Sequence, residues 1–356
     1  MPRPPASVTN RQAPYFCVMT LDWLVGLRAI AEEESTAGRF SGAVLVARGG
    51  EQHFADAYGL ADRERGVPNR LSTRFRIGSM NKMFTGTAIG QLIQAGKVDP
   101  AAPIGTYLRE QVNQDVAAKV TVHHLLTHTG GTGDIFVPEY MARREQVRLI
   151  EDYLALFAER GLLFEPGARF EYSNFGFILL GAVIESASEQ SYYNYVDEHV
   201  FAPAGMTRSG SLPEETAVPD LSVGYTAAGG PVRPNTDTLP YRGTPAGGGY
   251  TTVEDVWRFA TALIGHRLLD QTHTALVTSV QANARWSGPC VCYGFFERRI
   301  YGIRSFGHSG GAPGMSAELA IYPDSGHIVA VLANMDPPVA EDACAFIYRR
   351  LPVTPT

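Results

Sequence analysis

The segment FRIGSMNKMFTGTAIGQLIQAG, residues 75–96, decides the fold of this chain. It begins as a short apolar strand, turns at Gly78 and continues from Ser79 with the spacing of an amphipathic helix. Ser79 and Lys82 are three residues apart and share a helix face, so the lysine is predicted to reach the serine hydroxyl. The chain has three lysines, and only Lys82 follows a serine at this spacing. The pattern indicates a nucleophilic serine, the alternative being a helix-capping serine followed by a surface lysine.

Composition bounds the class of protein. The chain has 356 residues, of which 45% are hydrophobic and 19% charged, as is usual for a globular enzyme. A net charge of −6 without a basic run argues against a nucleic-acid partner. No apolar run is long enough to span a membrane, and Asp22 interrupts the N-terminal apolar stretch, so we expect an opening helix through about residue 31 and a cytoplasmic protein. Its inward residues are predicted to be Leu24, Leu27 and Ile30.

The order of elements predicts an α+β fold. Residues 41–59 alternate like a hairpin, residues 79–270 are mainly helical, and the last third returns to antiparallel strands before a closing helix. One sheet is therefore expected to combine both ends of the chain around an inserted helical domain. The predicted unit covers residues 20–350, after an extension of residues 1–19. Its sheet subdomain takes about 20–78 and 270–350, and its helical subdomain about 79–269.

Two further motifs carry candidate site residues. In EPGARFEYSNFGFILLG, Tyr172 is predicted on a loop and Asn174 as the cap of the next helix. A phenol beside a lysine can shuttle protons, although a packed core tyrosine explains this motif alone equally well. In SFGHSGGAPGMSAELAIYP, His308 precedes glycines that let a backbone approach a ligand closely. A single histidine in a strand is more often structural.

Together the three motifs, S-x-x-K, Y-x-N and H-x-G, resemble those of the serine hydrolases that include class C β-lactamases, D-alanyl-D-alanine carboxypeptidases and family VIII esterases. The similarity extends through HHLLTHTGG, FAPAGMTRSG and GGGYTTVEDVWRF and covers roughly residues 25–350. It implies a β-lactamase-like fold with a five-stranded antiparallel sheet flanked by helices. The site is expected where the sheet meets the helical domain.

The resemblance also implies roles for single residues. Ser79 would be the acylated nucleophile and Lys82 its proton acceptor. Tyr172 would be a phenolate that activates serine and later water or protonates the leaving group. Substrate would be bound by Asn174, His308 and Gly310, with Asn174 also bonded to Lys82 and His308 setting the local field. The oxyanion hole would consist of the backbone N–H groups of Ser79 and Gly311. No metal or cofactor is implied.

Three other patterns have simpler interpretations. His124 and His128 have zinc-ligand spacing on a predicted helix, but the glutamate of H-E-x-x-H is missing, so structural histidines are favoured. The run Gly247-Gly248-Gly249 lacks the lysine of a phosphate loop and is interpreted as a turn. The tyrosines at 192, 193 and 195 are expected to pack a helix start. The cysteines at 17, 290, 292 and 344 have no metal-ligand grouping and are expected to be reduced.

The sequence thus predicts a serine acyl hydrolase that works through an acyl-enzyme on a small ester, amide or β-lactam-like molecule. Esters or D-amino-acid amides and peptides are favoured over β-lactams, because His308 replaces a permanent cation in the third motif. A β-lactamase or D,D-carboxypeptidase is the alternative of the same class. A penicillin-binding sensor without turnover is the alternative of another class, and the oligomeric state is left open.

Overall fold

A seven-stranded antiparallel sheet forms the centre of the computed structural model, which describes residues 15–281, 290–300 and 302–351, with side chains from residue 25 onward. The strands are Gly42–Arg48 (β1), Glu51–Tyr58 (β2), Leu60–Asp62 (β3), Val67–Pro68 (β4), Phe75–Arg76 (β5), Tyr225–Thr226 (β6), Arg233–Pro234 (β7), Tyr250–Thr251 (β8), Cys290–Val291 (β9), Phe296–Ile300 (β10), Ile303–Ala312 (β11), Met315–Tyr322 (β12) and His327–Ala333 (β13). The sheet order is β2-β1-β13-β12-β11-β10-β9, so both ends of the chain meet at the β1–β13 pair. The prediction of one sheet from both termini is confirmed; the resemblance implied five strands, and the sheet has seven.

Thirteen α-helices lie within the described residues. They are Tyr15–Thr36 (α1), Lys82–Gln94 (α2), Gly105–Leu108 (α3), Gln114–Lys119 (α4), Val122–Leu126 (α5), Pro138–Arg143 (α6), Ile150–Phe157 (α7), Asn174–Ser188 (α8), Tyr192–Val196 (α9), Ala202–Ala204 (α10), Val253–Ile264 (α11), Gln271–Thr278 (α12) and Val339–Tyr348 (α13). The opening helix α1 continues past the predicted end near residue 31, because polar residues 32–36 extend it on an exposed face. Leu27 is buried as predicted, whereas the side chain of Leu24 lies outside the described part of the chain.

Helices cover both faces of the sheet. In β1, Ala43 and Leu45 point into the large core shared with the helical middle of the chain, whereas Val44 and Val46 join a smaller core with α1 and α13. This alternation is the two-residue period of a strand that is buried on both sides. Helix α8 is buried on all sides from Asn174 to Ile184 and packs against α2. The large core therefore fixes α2, which carries Lys82, against α8, which begins with Asn174.

The exact division into a sheet subdomain and a helical subdomain stays a prediction, and residues 1–14 of the predicted extension lie outside the described part of the chain. Cys290, Cys292 and Cys344 are free thiols, the last two buried; the Cys17 side chain falls outside the described side chains. Across the residues that the structure describes, no helix combines the length and the apolar character needed to cross a membrane.

Candidate active site

Ser79 lies on a tight turn that is pressed against the sheet. The turn is a single stretch of 3₁₀-helix, Gly78–Asn81, so α2 begins at Lys82 and not at Ser79 as predicted. Such a turn is common at the start of an α-helix. Gly78 has φ +50°, and a Cβ on it would lie 3.0 Å from the backbone nitrogen of Gly311 in β11. Only glycine lets the serine turn come this close to the strand.

Lys82 is fully buried beneath Ser79. Its Nζ lies 3.3 Å from the Ser79 Oγ, donates to the Asn174 Oδ1 at 2.8 Å, and donates to the carbonyl oxygen of Ala246. Burial lowers the pKa of Lys82 to about 7, and the Asp134 carboxylate opposes this shift only in part. The alternative of a surface lysine is therefore wrong, and the geometry brings a readily neutralised amine to the serine hydroxyl.

Asn174 orients Lys82 and is itself held by an acidic residue. Its amide Nδ2 donates to both carboxylate oxygens of Asp134 at 3.1 Å, while its Oδ1 accepts from Lys82. The prediction that Asn174 caps α8 is wrong, because Ser173 is the cap and accepts from the backbone N–H of Gly176 at 2.8 Å. That arrangement leaves the Asn174 side chain free to face Lys82. Asp134 was not predicted, since nothing in its local sequence distinguishes it from a surface aspartate.

Tyr172 precedes α8 on a loop, as predicted, and its ring lies beside Lys82. The Lys82 Nζ is 4.7 Å from the centre of the phenol ring. Burial raises the pKa of Tyr172 above its ordinary value, and a hydrogen bond with the Ser79 hydroxyl offsets only part of this rise. The resting site therefore favours a neutral phenol over the phenolate that the resemblance implied.

His308 lies behind the site and is neutral. Burial, followed by the charge of Lys82, lowers the pKa of His308 to about 3. Its Nδ1 bonds the carbonyl oxygen of Ser309, and its buried Nε2 has no hydrogen-bond partner among the described residues. The ring packs 4.9 Å from that of Phe296 and does not line the cavity in front of Ser79. Contact between His308 and substrate stays a prediction.

The two glycines after His308 have different surroundings. A Cβ on Gly310 would lie 1.8 Å from the carbonyl oxygen of Ile77, so this residue packs the strand against the serine turn. Gly310 is not among the residues that line the cavity, and its contact with substrate stays a prediction. Gly311 does line the cavity together with Ser79. The Ser79 N–H lies in the first turn, where backbone donors have no partner within the helix, as an oxyanion hole requires.

A cavity of about 600 Å³ opens in front of Ser79. Apolar side chains form most of its wall. Two of these residues are largely exposed to solvent: the exposed fraction is 66% for Phe136 and 61% for Met141. Arg144 is the one cationic side chain among the described lining residues, and its guanidinium donates to the backbone oxygen of Asp237. The remaining lining residues include Ile135, Tyr140, Tyr153, Pro240, Pro313 and Met315.

The glycine run contributes to the site, and the turn that was predicted for it lies immediately before it, at Pro245 and Ala246. The backbone N–H of Gly248 donates to the carbonyl of Gly78 at 3.0 Å, and Ala246, just before the run, accepts from Lys82. The loop therefore supports the serine turn and lines the cavity with Gly247. The sequence suggested the turn but not its partner, because the two segments are far apart along the chain.

The histidine pair does not form a metal site. Helix α5 ends at Leu126, and His128 follows it with φ +56°, so the expected helical pairing of His124 with His128 is wrong. Each ring accepts a backbone N–H through Nδ1: His124 from Thr121 and His128 from Ser173. No group of three or more His, Cys, Asp or Glu side chains in the described ranges could hold a metal ion. Tyr192 packs as predicted, with its hydroxyl 3.0 Å from the Asn81 amide.

Known proteins share this architecture. Esterase EstB of Burkholderia gladioli is 35% identical over 210 residues, which are 54% of this chain and 53% of the esterase. The chain thus spans about half the length of this curated relative, and 57% of another. A penicillin-binding protein from Bacillus halodurans superposes with a TM-score of 0.81 at 33% identity, covering 92% of this chain and 99% of that one.

A D-stereospecific amidohydrolase from Streptomyces sp. superposes with a TM-score of 0.76 at 26% identity, over 92% of this chain and 99% of that chain. The Beta-lactamase family model matches residues 27–352. With the fold, the match and the Ser79–Lys82 pair in agreement, the chain belongs to the Beta-lactamase family.

Proposed function

We propose that this protein hydrolyses neutral esters or amides of apolar acids through an acyl-enzyme on Ser79. The observation that carries the proposal is the buried Lys82 amine, 3.3 Å from the Ser79 hydroxyl and with a pKa lowered to about 7. A serine hydroxyl needs a base within hydrogen-bond reach, and a lysine serves as one only when burial removes its charge near neutral pH.

The steps follow from the positions of the side chains. The Ser79 oxygen attacks the substrate carbonyl carbon and its proton passes to the Lys82 amine. The backbone N–H groups of Ser79 and Gly311 stabilise the oxyanion. The Tyr172 phenol protonates the departing alcohol or amine and regains a proton from the Lys82 ammonium. Water then adds to the acyl-enzyme as Lys82 takes its proton. Lys82 returns that proton to the Ser79 oxygen as the bond between this oxygen and the acyl carbon breaks, which releases the acid and restores the resting site.

Substrate preference rests on charge and on the cavity wall. His308 is neutral, buried and absent from the cavity surface, so it offers no cation to the carboxylate that β-lactams carry. Arg144 already donates to the backbone oxygen of Asp237, which also lines the cavity, and most of the remaining wall is apolar. Both features support neutral substrates with an apolar acyl group, and the similarity to an esterase and to a D-stereospecific amidohydrolase supports the same two classes.

A substrate panel tests the proposal. p-Nitrophenyl acetate and hexanoate, N-acetyl-D-phenylalanine p-nitroanilide, a D-Ala-D-Ala peptide and nitrocefin are assayed with the wild type and with Ser79→Ala. We expect multiple turnovers on the esters or the anilide, little on nitrocefin, and none with the variant. Nitrocefin or the peptide as the best substrate would favour a β-lactamase or D,D-carboxypeptidase, and one stoichiometric burst without turnover would favour a sensor.

A further inference from the structure

His128 contacts the Tyr172 ring and both neighbours of Tyr172 along the chain. Its carbonyl oxygen accepts the backbone N–H of Glu171 at 2.8 Å, and its Nδ1 accepts the backbone N–H of Ser173 at 3.1 Å. These bonds hold the residues immediately before and after Tyr172. The imidazole also stacks on the phenol ring, with centroids 4.4 Å apart and planes 26° from parallel. A single buried residue thus holds the backbone on both sides of Tyr172 and packs on its ring.

We infer that His128 is a positioning residue for the reaction, holding the Tyr172 phenol between Ser79 and Lys82. The inference rests on the proposed function, in which Tyr172 transfers the leaving-group proton. Tyr172 lies on a loop without a helix or strand to define its position, so the contacts of His128 take over that task. Misplacement of a reacting group by about 1 Å can reduce a rate roughly 100-fold.

The chemistry of the histidine fits this role. The Nδ1 lone pair of His128 accepts the Ser173 N–H. A proton on Nδ1 would therefore point at the Ser173 N–H, and the hydrogen bond would be lost. Burial holds the pKa of His128 well below its ordinary value, and the neighbouring Lys82 acts in the same direction. The ring therefore stays neutral and places no additional charge beside Lys82. Its left-handed backbone, φ +56°, is unusual for histidine, and the surrounding contacts retain it.

Two substitutions separate the contacts. His128→Asn suits the left-handed backbone and leaves an amide oxygen as acceptor, but removes the ring that stacks on Tyr172. His128→Phe keeps a ring and removes the acceptor for the Ser173 N–H. His124→Gln is the matched control, because His124 also accepts a backbone N–H, at 3.2 Å from Thr121, and its ring contacts that of His123 instead of Tyr172.

The test is a double-mutant cycle for kcat on the best substrate of the panel. His128→Asn should lower kcat about 10- to 100-fold with KM changed less than about threefold, and His124→Gln should leave kcat within about twofold. In a Tyr172→Phe background, adding His128→Asn should lower kcat by a further factor of less than about three, because the Tyr172 hydroxyl that His128 positions is already absent. A general loss of structure would reduce kcat in both backgrounds alike.

Losses that multiply across the cycle, or an unchanged kcat in His128→Asn, would overturn the inference. Thermal unfolding of each variant identifies one that does not fold, and His128→Phe then replaces His128→Asn in the same cycle with the same expectations. If Tyr172→Phe alone keeps full activity, the role of Tyr172 in the proposed function is wrong. If that variant is impaired and the cycle is additive, only the positioning role of His128 is wrong.

Discussion

The two ends of the cavity are built differently. At the inner end, Lys82 is fully buried and its Nζ has three oxygen neighbours, from Ser79, Asn174 and Ala246. At the outer end, Phe136 and Met141 expose about two thirds of their side chains to solvent. At the inner end, buried polar groups hold the reacting side chains in one arrangement. At the outer end, the apolar side chains are exposed and few contacts hold them in place.

This difference between the two ends assigns the chemical steps to the inner end and the choice of substrate to the outer end. Rotamers fixed by packing hold reacting groups in place, which is what the transfer of a proton between Ser79, Lys82 and Tyr172 requires. An exposed apolar wall contributes binding in proportion to the area that a ligand covers. Substitutions at the inner end should therefore change kcat, and those at the outer end should change the ranking of substrates.

The largest effect is expected for Ser79→Ala. Loss of the nucleophile should lower kcat by at least about 10⁴-fold on every substrate and prevent covalent labelling by a fluorophosphonate or a penicillin. The free energy of unfolding, measured with urea, should change by less than about 1 kcal/mol because the hydroxyl faces the cavity. Substantial turnover by this variant would mean that the inner end does not hold the nucleophile.

Lys82→Met should be nearly as damaging, with a loss of about 10³-fold or more in kcat, while Lys97→Met at an exposed lysine serves as control.

The neutral amine of Lys82 is the active form. With a pKa of about 7, kcat/KM of the wild type should be constant above pH 8 and fall about tenfold per unit below pH 6. A pH-independent rate between pH 5 and 8 would contradict Lys82 as the base.

Asp134→Asn should cause a moderate change. The asparagine oxygen can still accept from Asn174, so kcat should fall by only about tenfold or less. The lost negative charge had favoured the ammonium form of Lys82, so the acidic limb of kcat/KM should move to lower pH by about half a unit to one unit. Asp115→Asn, at an exposed aspartate, should leave the limb in place; a shift to higher pH in Asp134→Asn would contradict this account.

The smallest effect is expected at the outer end. Phe136→Ala and Met141→Ala should lower kcat/KM for p-nitrophenyl hexanoate about 3- to 10-fold relative to acetate, since each buried methylene contributes about 0.8 kcal/mol. Leu163→Ala is the control, because this leucine is 62% exposed and lies outside the cavity lining. Equal losses on both esters would indicate that the wall supports catalysis instead of selecting the acyl chain.

The same contrast explains what could be predicted from the sequence. Ser79 and Lys82 are three residues apart where a 3₁₀ turn leads into α2, and Asn174 begins a strongly apolar helix, so local spacing was enough to find them. Asp134 and the carbonyl of Ala246 reach Lys82 through contacts between distant segments, which no local pattern records. The charges of Tyr172 and His308 also depend on burial. Burial favours the neutral phenol over the phenolate that the resemblance implied for Tyr172, and it keeps the His308 imidazole neutral.

The contacts of Lys82 have a consequence for folding kinetics. Its hydrogen bonds join segments 92 and 164 residues away, and the Ser41–Asn334 bond closes the sheet over 293 residues. Contacts of such long range form late, since loop closure must come before them. After dilution from denaturant, helical signal should return well before hydrolytic activity does. The recovery of hydrolytic activity would then measure when the last long-range contacts form, an event that few spectroscopic probes observe directly.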